Sequence, residues 1–530
     1  MTKSTSKLYD VVIAGAGPVG LFLAYELGLR QISVLVLERT TEQDSPWKSG
    51  PLGLRGLNIQ SIEAFYRRGL LGKLFNLDER PQYQPGKKPG FQFGGHFAGI
   101  KINANQFDLQ RWKYRLPGPA LGPGPTTMDQ LEKVLTERVE SLGVKILRGR
   151  SVKSISQDET SVTVETEGGN VESFRGKWLV GCDGGRSVVR KEAGFGFVGT
   201  DAQFTGYATH IEIEGREKLK PGFNVSETGM YINVVQNGAF HLLEFDGASF
   251  DRSGDITQDH LQQVLDRAIG RTDVKITKVH HASSYTDRSM QAANYRKNRV
   301  LLAGDAAHIH SPLGAQGLNV GLGDAMNLGW KLASTIQHDE CQEQKTENTH
   351  DLTLLDTYES ERHPIAAWVL DWTRAQVTAL KPDAFGRATR TLMEDLIKTD
   401  DGANLFIDRV WGLSQRYMLG EEPRHAHPLV GSSAPDFEFG DGSRLGSKLE
   451  EGRGLLLDFG KNSELESVVV QGKYHGKVDY LALEAKENCG LSALLIRPDG
   501  IVAWVVEDNA EHDIDGLKAA LGEWFTLRIS

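Results

Sequence analysis

Apolar residues near the start of the chain fall into short solid runs. Residues 9–14, YDVVIA, form the first, bounded by glycine and too short for a helix, so they predict a buried strand. Gly15-Ala16-Gly17-Pro18-Val19-Gly20 follows, and residues 18–29 then carry Val19, Leu23 and Leu27 at helical spacing. ISVLVL at 32–37 predicts a second strand ending at Glu38, which completes a β-α-β unit. Two later runs repeat the strand-to-turn pattern. Residues 178–181 lead into Cys182-Asp183-Gly184 with a helix starting near Ser187, and residues 300–303 end at Gly304-Asp305. A helix over 317–336 follows, with Gly321, Gly323 and Ala325 small enough for close packing.

The middle of the chain alternates apolar and polar residues instead. Segments 203–213, 229–235, 239–245 and 274–285 predict strands, with a helix at 257–269. The aromatic stretch 82–105, with Phe91, Phe93, His96 and Phe97, is expected to join that sheet. Gly168-Gly169-Asn170, between 161–166 and 171–174, reads as a hairpin turn. Residues 337–352 are polar and predict an exposed insertion, after which 353–380 resume helix, with Trp368 and Trp372 on one buried face. A separate unit begins after Pro428 with Ser433-Ala434-Pro435-Asp436-Phe437. Its strands are expected at 454–459, 478–484, 492–497 and 501–506, with a turn at Arg497-Pro498-Asp499-Gly500 and a closing helix at 513–525.

Length and composition narrow the class. A chain of 530 residues with 39% hydrophobic and 25% charged residues is ordinary globular material for roughly three domains. The net charge of −10 and the lack of a basic stripe argue against a nucleic-acid partner. Cys182, Cys341 and Cys489 stand far apart, offering neither a disulfide framework nor a zinc site. His308 and His310 lack further ligands nearby, so no metal is expected. Asp10, the Gly and Pro residues and Glu26 interrupt the apolar N-terminal stretch, and no other stretch suits a membrane span. The expectation is a cytoplasmic protein without a membrane partner.

The residue types of the first unit carry a chemistry. Gly15 permits a tight turn, Gly17 lets backbone approach a pyrophosphate, and Gly20 packs helix on strand. The helix start beyond Pro18 and Val19 offers free N–H groups to phosphate, and Glu38 would take the adenosine ribose hydroxyls. That motif alone does not tell FAD from NAD. Asp305 could accept hydrogen bonds from a ribityl chain, and Pro312, Gly314 and Gly317 would bring backbone against a flat ring. The following helix would turn its positive end toward that ring. Asp183 alone could be a helix cap.

Taken together, GAGPVG, CDGGRSVVR (182–190) and AGDAAHIHSPLGAQGLNVGLGDAMNLGWKLA (303–333) resemble the class A flavoprotein monooxygenases, the para-hydroxybenzoate hydroxylase fold. YESERHP at 358–364 matches a further recurrent segment, and the resemblance covers about residues 8–375. It is nearest to the three-domain phenol and aromatic-polyketide hydroxylases. It implies an α/β fold in three parts. A Rossmann-type FAD-binding domain would take residues 1–80, 106–195 and 286–395. A β-sheet substrate domain would take 81–105 and 196–285, and a thioredoxin-like domain without C-x-x-C would take 425–530. Glu38 and Arg39 would hold the adenosine half, and Arg55 would lie near pyrophosphate and flavin. Asp183 belongs to a motif that serves FAD and transient NAD(P)H. Gly304 and Asp305 would meet the ribityl chain. Pro312, Gly314, Gln316, Gly317, Leu318 and Asn319 would line the isoalloxazine. Two positions depart from the family pattern: Gln60 stands where many members have Arg, and Met128 where many have Gln before Leu-Glu.

The activity so implied is a single-component monooxygenase. NADPH or NADH reduces the flavin, O2 then gives a C4a-hydroperoxide, and oxygen passes to a phenolic or polyketide ring. No catalytic side chain is singled out. Baeyer–Villiger oxygenation of a ketone or quinone is the alternative on the same fold, and a non-catalytic flavin sensor is a distant one. The large third domain suggests, by analogy, a homodimer.

Overall fold

The run around Val11–Ile13 becomes the inner strand of a parallel sheet in the computed structural model. It describes residues 7–77, 88–168, 171–234, 238–343, 351–420, 427–470, 474, 476–508, 510–511 and 513–526. Leu8–Ala14 pairs in parallel with Val34–Glu38 on one side and Glu172–Gly181 on the other. Lys145–Arg148 extends the first side and Val300–Leu302 the second, again in parallel. The strand order reverses at Leu8–Ala14, so a crevice opens beyond the carboxyl ends of strands 8–14, 172–181 and 300–302. Val11, Val12, Ile13, Leu35 and Val36 are all fully buried, as a sheet covered on both faces requires. The helix Pro18–Leu29 lies along the sheet between Met128–Ser141 and Gly317–Glu343. The contact with the latter is close at Gly329, where a Cβ would stand 2.4 Å from that of Glu26.

Several boundaries differ from expectation for local reasons. Ile32 stays in the turn because its N–H bonds Leu27 O, and the strand begins at Val34. Segments 171–174 and 178–181 are one strand, Glu172–Gly181, whose first half pairs antiparallel with Val162–Glu167. The helix from Gly317 runs to Glu343, so the polar stretch begins as helix, with Gln337 Nε2 donating to Arg30 O. Trp368 is not on a buried face: it is 36% exposed and stacks on Trp372 at 5.8 Å. Residues 82–87 and 344–350, the turn residues Gly169 and Asn170, and Val235 lie outside the described residues.

The middle sheet is antiparallel, in the order Gly222–Val225, Gly229–Asn233, Ala239–Glu244, Thr205–Glu214, Lys275–Thr286. Register places Val225, Met230, Leu243, Gly206 and Tyr285 in one cross-strand row and Phe223, Ile232, His241, Ala208 and Ser283 in the next. These rows share one face, where Met230 and Leu243 pack with Leu313 and Phe97. The other face, with Tyr207, Tyr231, Phe240 and Leu242, buries against Leu261, Val264 and Leu265 of the helix Gln258–Ile269. The aromatic segment forms its own hairpin, Phe93–Phe97 with Ile100–Asn103, and among the described residues it meets the sheet through side chains. Two helices with no forecast in the sequence, Ala384–Lys398 and Asp400–Trp411, close over it, with Trp411 Nε1 donating to Gly94 O at 2.7 Å.

The C-terminal sheet runs Val478–Ala482, Gly454–Asp458, Leu491–Ile496, Val502–Glu507, the first pair parallel and the rest antiparallel. With its helices Ser463–Val470 and Ile514–Phe525 this is the thioredoxin-like arrangement. After its first strand the buried Asp458 accepts from Gly460 N, Asn462 N and Tyr480 Oη, so a pinned turn stands where a redox pair would lie. Among the described residues no helix is long and apolar enough to cross a membrane.

Candidate active site

The three motifs meet around Val19. Gly15 has φ +105° and a Cβ there would lie 2.4 Å from Cys182 O, so only glycine lets the first and second motifs touch. A Cβ on Gly20 would lie 2.1 Å from Gly15 O. Gly304 and Gly321 both press on the Val19 side chain, which brings the third motif to the same place. Gly17 is different: at φ −74° and ψ 175° it caps the helix with Pro18 at its first turn, and nothing lies within 4 Å of where its Cβ would be. Open space at the start of a helix is the cradle a diphosphate requires.

Glu38 lies at the rim, accepting from Ala16 N at 2.8 Å and from Thr40 N and Oγ1. Burial raises its carboxyl, but the N–H groups of Thr40 and Ala16 outweigh that and hold it below its ordinary value. Arg39 beside it is exposed. Asp183 does cap the helix Val188–Glu192, through Oδ2 to Val188 N and Val189 N, while Oδ1 is buried and has no protein partner.

Asp305 faces the crevice. Its side chain has surface open to that recess, yet enough protein surrounds it that desolvation pushes its carboxyl up, with His308 and Arg55 pulling it down. Gly304 sits at φ +63°, and its N–H donates to Asp324 Oδ2 at 3.0 Å. Asp324 is a fully buried hub. Oδ2 also meets His308 Nε2 at 2.8 Å, and Oδ1 accepts from Arg362 Nε at 2.8 Å. Arg190 Nη1 donates to Ala306 O at 2.8 Å and so ties the second motif to the third. Neither Asp324, Arg190 nor Arg362 was singled out from the sequence, although all three lie inside the quoted motifs. For Asp324 the signal was a charged residue amid small and apolar neighbours; Arg190 and Arg362 have charged neighbours and carried no such signal.

The loop 311–317 turns through a short helix Pro312–Gly314 and a left-handed Ala315 at φ +52°. Pro312 and Ala315 are exposed on it, while Gln316 is buried and Leu318 is partly so. A Cβ on Gly314 would meet Gln376 Nε2 at 2.9 Å, and one on Gly317 would meet His310 Nε2 at 3.4 Å. Asn319 does not turn its amide to the crevice. Oδ1 accepts from Asn58 N and Ser61 Oγ, and Nδ2 donates to Gly56 O and Ala315 O, so it braces the loop. Arg55 Nη1 donates to Leu52 O and Leu54 O. Burial lowers its pKa, and Asp305 acts on it in the opposite direction. Gln60 donates to Gly412 O. Gln130, rather than Met128, directly precedes Leu131-Glu132, so Met128 is no departure from the pattern.

Across the crevice stands the inner face of the middle sheet. His241 is lowered to about 4 by burial, assisted by the charge of Arg55. Burial raises the Tyr285 hydroxyl, and its ring covers Gly206. His96 packs tilted against Phe223, ring centroids 4.2 Å apart, and is lowered to about 4, again by burial. Around the loop, Gln376 Nε2, Trp372 Nε1 and His310 Nε2 are buried with no protein partner. His310 Nδ1 lies 2.9 Å from Ser311 O, which can only accept, so Nδ1 carries the proton and Nε2 is an acceptor. Such orphaned groups beside a crevice point to a ligand.

Residues 8–373 match the family described as FAD binding domain, and residues 427–526 the family described as aromatic-ring hydroxylase, C-terminal. The chain belongs to the class A flavoprotein monooxygenases. A monooxygenase of Claviceps purpurea is 46% identical over 526 residues, covering 99% of each chain. A rifampicin monooxygenase of Streptomyces venezuelae is 35% identical over 98% of this chain and 99% of its own. The solved structure of OxyS, the anhydrotetracycline hydroxylase from Streptomyces rimosus, superposes with a TM-score of 0.81 at 32% identity, covering 98% of this chain and 99% of that one. This monooxygenase uses FAD. The residues at the crevice fit that group: an open cradle at Gly17, a free carboxylate oxygen on Asp183 and an accessible Asp305.

Proposed function

We propose that the enzyme hydroxylates an electron-rich aromatic ring, of phenolic or fused polyketide type, at the expense of NADPH or NADH and O2. One observation carries this reading. Leu313 of the cofactor loop lies in one buried apolar cluster with Met230 and Leu243 of the middle sheet, so cofactor loop and sheet face bound one crevice. The rifampicin and anhydrotetracycline enzymes, whose named compounds are multi-ring, support the substrate class.

In this reading Gly15, Gly17, Pro18, Val19 and Gly20 receive the pyrophosphate, and Glu38 and Arg39 the adenosine half. Asp183, Gly304 and Asp305 meet the ribityl region, with Arg55 beside it. Pro312, Gly314, Gln316, Gly317 and Leu318 form the wall under the ring system, and Asn319 holds that wall in place. Residues 1–80, 106–195 and 286–395 serve the cofactor, 81–105 and 196–285 the substrate, and 425–530 form the third domain. FAD supplies hydride acceptance and the activation of O2. The chain orients the ring between the loop and the sheet, and Phe97, Met230, Leu243 and Trp411 keep water out. His310 Nε2 and the Tyr285 hydroxyl offer an acceptor and a donor to a phenolic oxygen. The N-terminus of the helix Gly317–Glu343 favours negative charge near the loop.

The test is NADPH and NADH oxidation by the FAD-loaded enzyme with a panel of phenols and polyketide quinones, following O2 uptake and peroxide together. Oxidation stimulated by substrate with little peroxide supports the reading. A ring-opened or ester product points to Baeyer–Villiger chemistry, and oxidation indifferent to every aromatic compound contradicts it. Asp305→Ala should lose FAD and activity together. Full flavin occupancy in that variant removes Asp305 from the site.

A further inference from the structure

The C-terminal domain is wired to the cofactor loop through a buried ionic chain. Arg497, in the turn of that domain, has no exposed surface. It donates to both oxygens of Glu361 at 2.8 Å, and to Asp499 at 2.5 and 3.1 Å. Lys331 Nζ stands 3.0 Å from Glu361, and burial lowers it to about 8. The Arg497 guanidinium also lies 5.7 Å from the Tyr417 ring. Tyr417 is held to the domain by its N–H to Gly431 O, and Gly431 N in turn bonds Val502 O. The Tyr417 hydroxyl accepts from Arg362 Nη1 at 2.9 Å, and Arg362 Nε grips Asp324. Asp324 then fixes Gly304 N and His308.

Burying this many charges is poor value for stability alone, because desolvation cancels most of the attraction. Its effect is on conformation. Gly304, at φ +63°, has no side chain to hold it; its N–H bond to Asp324 orients the Ala303–Gly304 peptide, and Ala307 N bonds Gly304 O on the side of Asp305. Asp324 turns Oδ2 to Gly304 N and His308 while Arg362 holds Oδ1, and Arg362 shares its remaining donors between Val320 O and Tyr417. We propose that Arg497 and Tyr417 of the C-terminal side are positioning residues for FAD: they fix the Gly304–Asp305 loop through Glu361, Arg362 and Asp324. The inference rests on the reading above that this loop meets the cofactor.

The experiment compares FAD dissociation constants, by flavin fluorescence on serial dilution of the holoenzyme, together with the bound-flavin absorption spectrum and the urea midpoint. Arg497→Met should weaken FAD binding about tenfold, equivalent to about 1.4 kcal/mol. Tyr417→Phe, which deletes one hydroxyl, should weaken it about threefold, the scale of one hydrogen bond. Arg497→Lys should recover part of the loss. Arg453→Ala, whose partners Glu451 and Asp479 are exposed, should change nothing. A lower urea midpoint with FAD affinity and spectrum unchanged in Arg497→Met and Tyr417→Phe overturns the proposal. If Arg497→Met does not fold, Tyr417→Phe decides alone. Asp305→Ala separates the two failures. FAD retained there sinks the site reading, whereas FAD lost there but kept in the other two sinks only the positioning role.

Discussion

Gly17 and Gly20 stand three residues apart in one motif, yet alanine at each should fail in a different way. Gly17 has φ −74° and ψ 175°, backbone that alanine adopts freely, and open space around its Cβ position. Without cofactor, Gly17→Ala should therefore be as stable as the parent, or firmer by about 0.4–1 kcal/mol through the restricted unfolded chain. The methyl would instead occupy the space needed for close backbone approach to phosphate, and FAD affinity should fall roughly a hundredfold, about 2.8 kcal/mol. At Gly20 the added Cβ would lie 2.1 Å from Gly15 O, far inside contact distance, and 3.2 Å from the Cys182 Cβ. The helix must shift, at the cost of about 1–3 kcal/mol of overpacking that is felt before any cofactor binds. Urea unfolding of the flavin-free protein and FAD titration of each variant separate the cases. Wild-type FAD affinity in Gly17→Ala, or an undiminished urea midpoint in flavin-free Gly20→Ala, would refute the division of roles.

Other consequences are as direct. His241→Leu and Tyr285→Phe should raise KM and peroxide release while leaving the FAD dissociation constant unchanged, because both lie on the sheet face and not on the loop; loss of flavin in either variant would contradict that placement. Burial lowers His96, His241 and His310 to about 4, below the ordinary value of 6.5. The unfolded chain then binds more protons between those values, so urea midpoints should fall steadily as pH drops from 6.5 toward 4, and His96→Asn should flatten the slope. Burial by itself would raise Glu361, but Arg497 and Lys331 hold it at about 2. Its stabilising contribution should be complete above about pH 4.5 and vanish as pH falls toward 2, with Glu361→Gln showing no such acid transition.

The parallel sheet was legible because glycine follows the strands Leu8–Ala14, Glu172–Gly181 and Val300–Leu302 at their turns, and Gly15 and Gly20 stand where backbone contacts leave no room for a side chain, while Gly304 presses on the Val19 side chain. What the sequence hid was long-range. Asp324 and Arg362 look like surface charges on two helices until those helices pack, when they become one buried pair. Asn319, placed by motif beside the ring, proves to spend its whole amide on Asn58, Ser61, Gly56 and Ala315, partners more than 250 residues away in three of the four cases. The helices Ala384–Lys398 and Asp400–Trp411 escaped notice for another reason. Their starts are marked only by the caps Asp383 and Thr399, and exposed Phe385, Leu392 and Leu405 blur the apolar stripe. Trp368 and Trp372 had helical spacing for one buried face, but helix rotation leaves Trp368 at the surface.

The most direct test of the proposed chemistry is a turnover of the FAD-loaded enzyme with NADPH, a phenolic polyketide and isotopically labelled O2, read by mass spectrometry of the product. Aromatic hydroxylation predicts a single labelled oxygen on a ring carbon of the product. Labelled peroxide with unchanged substrate, or product oxygen drawn from water, would contradict it.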